Sequence, residues 1–115
     1  MMTERTIGCV RMCGVDVEIS EVAGLANENG DMLDGEFLHT EAKIRIRAGL
    51  SPTGRRDAVL HECIHAYLYL SGDDQWLCCL LGTKAARKLQ EVICRKVAPG
   101  IAAFVDAGVL ELVKL

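Results

Sequence analysis

Aromatic residues make up only 4% of the 115 positions, so a platform for stacking bases or sugars is not expected. The core must be filled by Leu, Val, Ile, Ala, Met and Cys. A basic excess is also missing: 13 Lys and Arg stand against 16 Asp and Glu, for a net charge of −3. That sign is wrong for a surface that tracks phosphates, and nucleic acid is not the expected partner. Long apolar runs are absent too. Trp76 to Leu81 and Pro99 to Val105 are the longest, far short of the ~20 residues that cross a bilayer, so no membrane span is expected. The opening Met1-Met2-Thr3-Glu4-Arg5 carries no charged leader, greasy segment or cleavage site of an export signal. A cytoplasmic location follows as an expectation, and with it free thiols at Cys9, Cys13, Cys63, Cys78, Cys79 and Cys94 rather than a disulfide framework.

Half the residues are hydrophobic and a quarter charged, the balance of an ordinary globule, and the length suits one domain over residues 1–115. Residues 5–11 and 15–19 read as two strands, with Val15, Val17 and Ile19 alternating against Asp16 and Glu18 and a turn at Gly14. Gly24 to Asp34 is rich in Gly, Asn, Asp and Glu and reads as a loop. A short strand is expected over Gly35 to His39, then a turn at Thr40 to Ala42. Lys43-Ile44-Arg45-Ile46-Arg47 is a period-two strand whose cations suit an exposed edge.

Ser51-Pro52 is an N-cap followed by proline at the first helical position, and Ser71-Gly72 is a stop, so a helix is expected between them. A short helix follows over 75–81, and after Gly82-Thr83 a long one starts near Lys84. Leu89, Val92, Ile93, Val97, Ile101 and Phe104 keep a helical period through Pro99-Gly100, where the helix either ends near Ala98 or continues with a kink. Residues 108–115 fit no element clearly. The cysteines inside apolar helical patterns, including adjacent Cys78 and Cys79, take the role of small buried hydrophobes. Cys9 and Cys13 are too loosely spaced for a zinc knuckle and lack a second ligand pair.

The first long helix contains His61-Glu62-Cys63-Ile64-His65, an H-E-x-x-H pattern. Positions i and i+4 lie one above the other on a helix, so two imidazoles can reach the same Zn²⁺. Glu62 is turned about 100° from His61, beside the ion but free to hold a water, and is the candidate catalytic base. Val59, Cys63, Ala66 and Leu70 share the opposite side, so one face packs while the other presents ligands.

Catalytic zinc keeps three protein ligands and an open position, so a third must come from elsewhere. Glu91, in the apolar segment Lys88 to Cys94, is the first candidate, because a carboxylate inside a packed helix face needs a cation or a metal. Its alternative is an i±4 pair with Arg87 or Arg95. Asp73, Asp74 and His39 are rival third ligands, although Asp73 or Asp74 also suits an N-cap. No oxyanion stabiliser is identifiable, since Tyr67 and Tyr69 equally suit packing. Lys43, Arg45, Arg47, Arg55 and Arg56 form the one basic concentration. It reads either as an edge to which an extended peptide adds or as protection of an open edge against aggregation.

With strands leading into the H-E-x-x-H helix and a carboxylate on the next one, the chain resembles the zincin metallopeptidases, and among them a minimal glutamate-zincin. Ile44 to Ser51 and Arg55 to Glu62 are similar to the strand-to-helix passage of small phage and mobile-element proteins of the ImmA/IrrE type. SprT-like peptidases share that core. The resemblance covers about residues 35–105, and Gln90 stands where relatives often carry a second acid. It implies an α+β fold with a small mixed sheet, an edge strand above the cleft, the active-site helix beneath and a glutamate-bearing helix. It further implies a zinc peptidase acting on a peptide or protein, with metal ligands His61, His65 and Glu91 and with Glu62 as base. The alternative expectation is a catalytically silent regulatory or binding module of the same fold.

Overall fold

The computed structural model describes residues 3–106. They form an α+β arrangement of four strands followed by three helices. Strand β1 (Glu4–Met12) and strand β2 (Val15–Val22) pair antiparallel, Met12 opposite Val15. Their two-residue connection is Cys13-Gly14, both with positive φ (52° and 77°). That is the backbone of a tight hairpin turn whose twist matches the strands. The hairpin is longer than expected, reaching Val22 rather than residue 19.

Strand β3 (Gly35–Leu38) and strand β4 (Lys43–Arg47) complete a mixed sheet of order β1-β2-β4-β3. Strand β4 pairs parallel with β2 and antiparallel with β3. The expectation that Lys43 to Arg47 forms an edge is therefore corrected: it is interior, and the edge strands are β1 and β3. The cations are compatible with an interior strand because each has an acid. Lys43 pairs with Glu4, Arg45 with Glu36 and Arg47 with Asp34. Arg55 reaches Glu21 at 3.0 Å, and Arg56 reaches Asp57 at 3.3 Å. The Glu4 bond holds the Lys43 ammonium above its ordinary pKa. The five basic residues are thus tied up in ion pairs, so they present neither the peptide-binding edge nor the aggregation guard expected of them.

The alternate residues of the sheet, Val17, Ile19, Ile44 and Ile46, are fully buried against helix α1 (Pro52–Leu70). Val59 and Ala66 meet them, with Cys63 and Leu70 alongside, which is the packing face expected of that helix. Ser51 caps it: its Oγ accepts from the Gly54 amide at 3.0 Å, and Pro52 occupies the first turn.

Helix α2 (Asp73–Leu81) begins after Gly72, which is its N-cap. Asp73 and Asp74 lie inside its first turn, where acids favour the positive end of the helix dipole, rather than at the cap position. It buries no residue fully; Cys79 is exposed and Cys78 only partly covered. Their expected role as buried hydrophobes fails because α2 lies on the outside, against α3, with Trp76 and Leu80 facing solvent.

Helix α3 (Thr83–Asp106) runs on through Pro99. Its buried stripe is Ala86, Gln90, Cys94, Ala98 and Ala102, four residues apart. Leu89, Val92, Val97 and Phe104 are exposed, so the larger apolar residues that carry the sequence period do not form its core face. Small side chains bring the α3 backbone close to α1, where Leu60 and Ile64 pack over Ala98 and Ala102. Residues 108–115 lie outside the described part of the chain.

Candidate metal centre

Helix α1 holds His61 and His65 one turn apart, their rings tilted by 59° with centroids 4.9 Å apart. The two Nε2 atoms converge to 3.2 Å. From α3, Glu91 places Oε1 2.8 Å from Nε2 of His65 and Oε2 3.6 Å from Nε2 of His61. Donors around a tetrahedral zinc with bonds of ~2.0–2.1 Å sit about 3.3–3.4 Å from one another. The two ring nitrogens stand close to that separation and one carboxylate oxygen approaches each of them, at 2.8 and 3.6 Å, so a zinc-sized ion could be held after small side-chain adjustments. Glu91 faces the imidazoles rather than serving only as an ion-pair partner of Arg87 or Arg95.

Sequence reasoning missed a further candidate donor. The Cys94 Sγ and one ring nitrogen of each histidine all lie within 4.8 Å of one another. Cys94 is fully buried and stands one turn beyond Glu91 on the same side of α3. Reading Cys94 only as a small hydrophobe hid this; the four-residue spacing from Gln90 and the three-residue spacing from Glu91 were the available signal.

The rival ligands are engaged elsewhere. Asp73 accepts from Ser71 Oγ at 3.1 Å. Asp74 accepts from Gln90 Nε2 and from Cys78 Sγ. The His39 ring lies tilted by 46° against Tyr69 with centroids 5.1 Å apart, and Tyr69 meets Phe37 edge-on at 5.9 Å. Gln90, only 7% exposed, thereby has a structural reason to be an amide: it clamps α2 to α3 through Asp74. Tyr67 is exposed.

The electrostatics divide the roles. Burial, reinforced by His65 and Arg95 and opposed by Glu91, lowers the His61 pKa, favouring the neutral imidazole that binds metals. Glu62 is buried, and its pKa is pushed up to about 7 by that burial, with Glu91 and Glu36 adding to the effect. A carboxyl poised near neutrality can both take and return a proton. Burial first, then Glu91 and Glu62, pushes the Cys94 thiol up to about 11.

Glu62 borders two open cavities. One, of about 430 Å³, is bounded by Asp34, Gly35, Asp57 and His61. The other, of about 310 Å³, is bounded by Phe37, His39, His65 and Tyr69. Strand β3 runs beside both, because Gly35 has no side chain to hold it off: a Cβ there would stand 3.0 Å from Glu62 Cγ.

Among the described residues no helix is long and apolar enough to cross a membrane. No family model, curated protein or solved structure matches the chain.

Proposed function

We propose that this chain is a zinc-dependent peptidase of minimal zincin type, with His61, His65 and Glu91 as metal donors and Glu62 as general base. The observation that carries the reading is the convergence of two Nε2 atoms 3.2 Å apart with the Glu91 carboxylate, one oxygen 2.8 Å from His65 and the other 3.6 Å from His61, beside a buried carboxyl that is not part of the group. Zinc bound there supplies Lewis-acid chemistry, lowering the pKa of water toward neutrality and polarising a scissile carbonyl. The Glu62 carboxylate accepts the proton of the attacking water and returns it to the leaving amine. An extended peptide is held by main-chain hydrogen bonds to the free edge of β3, with side chains entering the cavities on either side of Glu62. The expected setting is the cytoplasm, where unpaired thiols persist.

A second reading, a regulatory or binding module that keeps zinc without turnover, is favoured by one observation: Cys94 offers a fourth donor, and structural zinc normally has four.

The test is zinc analysis together with cleavage of a randomised peptide library read by mass spectrometry. The wild type binds zinc stoichiometrically and cleaves. Glu62→Gln keeps zinc and loses cleavage by about 10²–10⁴-fold, the span of general acid–base catalysis. His61→Ala loses zinc. Undiminished zinc in His61→Ala would reject the metal assignment, and a zinc-loaded wild type that cleaves nothing would leave the second reading.

A further inference from the structure

The donor set is larger than a peptidase needs, and its members differ in freedom. The Glu91 side chain is 44% exposed and has Arg87 and Arg95 one turn away on either side, to which its carboxylate can swing. Cys94 has no such freedom: it is fully buried, in the stripe where α3 packs. Its sulfur lies within 4.8 Å of a ring nitrogen of each histidine, while the Glu91 oxygens stand 2.8 and 3.6 Å from the same pair. Zinc–sulfur bonds are longer than zinc–nitrogen bonds, ~2.3 Å against ~2.0–2.1 Å. His61, His65 and Cys94, whose donor atoms lie within 4.8 Å of one another, can therefore close on one ion by small side-chain rotations.

Building on the zinc reading above, we infer that Cys94 is a fourth, permanent zinc donor and that Glu91 is the exchangeable one. The resting site is then closed by His61, His65, Glu91 and Cys94. Departure of the Glu91 carboxylate toward Arg87 or Arg95 would then leave room for a water or a substrate oxygen beside the histidine pair. Zinc with both imidazole and thiolate donors is compatible with a catalytic as well as a structural centre.

X-ray absorption at the zinc edge of the full chain, with metal content measured on the same samples, tests this. The expected wild-type spectrum has one sulfur scatterer at ~2.3 Å, lost in Cys94→Ala and retained in Glu91→Gln. The cobalt-substituted protein should give a thiolate-to-metal charge-transfer band that follows the same pattern. Stoichiometric zinc with only nitrogen and oxygen neighbours in the wild type would overturn the inference while leaving the histidine and glutamate site standing. A sulfur signal that survives Cys94→Ala would overturn it as well, assigning the thiolate to another cysteine. A wild type that binds no zinc would remove both readings. Where Cys94→Ala does not fold, Cys94→Ser, which keeps the volume, takes its place, and its zinc spectrum should likewise lack the sulfur scatterer.

Discussion

Gly35 lies directly over the stem of Glu62: a Cβ on the glycine would meet Glu62 Cγ at 3.0 Å and Ile46 Cδ1 at 3.0 Å. The edge strand and the buried carboxyl therefore share one layer of space, and any side chain at position 35 must displace one of them. Gly35→Ala should cost about 1–3 kcal/mol, the usual range for overpacking, measured by urea unfolding. Peptide cleavage should fall with it while zinc content stays unchanged, because neither histidine is touched.

Metal removal should lower thermal stability. An ion that binds only the folded chain stabilises it by about 2.7 kcal/mol at a free concentration one hundred times its Kd. Scanning calorimetry should show the melting temperature rising with added zinc and falling with chelator. In His65→Ala the dependence should disappear.

The metal-free protein should weaken as pH rises toward neutrality. Glu62 titrates near 4.5 when ordinary and at about 7 when folded, so between those values the folded chain holds a proton that the unfolded chain has released. Stability from this group is greatest below about 4.5 and falls as pH climbs through about 7. Urea midpoints collected across that window in the presence of chelator should decline for the wild type and flatten in Glu62→Gln.

Gln90→Leu should destabilise the chain by about 1–3 kcal/mol, because it leaves the Asp74 carboxylate without its amide donor. Val92→Lys, on the exposed side of α3, should stay within ~0.5 kcal/mol of wild type. Chemical denaturation of the two variants side by side checks the contrast, and both should retain zinc.

The sequence carried more of the site than of its surroundings. The spacing of His61 and His65, the cap at Ser51 and the Val59-Cys63-Ala66-Leu70 face all follow from helical geometry, which is local, and the structure keeps them. The interior position of Lys43 to Arg47 was not legible, because charges suggest an edge unless the acids that neutralise them are known. Glu4, Asp34 and Glu36 reach those cations only through sheet pairing. On α3 the alanines outweigh the larger residues as a packing face because α1 approaches closely, and close approach is a tertiary fact. Cys94 was hidden for the same reason: nothing local reveals what a buried thiol faces.

The proposed donors come from two helices alone, His61 and His65 from α1 and Glu91 and Cys94 from α3, and none of them from the sheet. An ion gripped there acts as a crosslink between the half of the molecule moored to the strands and the half that is not. Because it binds only the folded arrangement, separating the two helices would cost the binding free energy of the ion. Demetallation should therefore loosen the C-terminal helices first, so that amide exchange quickens along α3 before it quickens in the central strands.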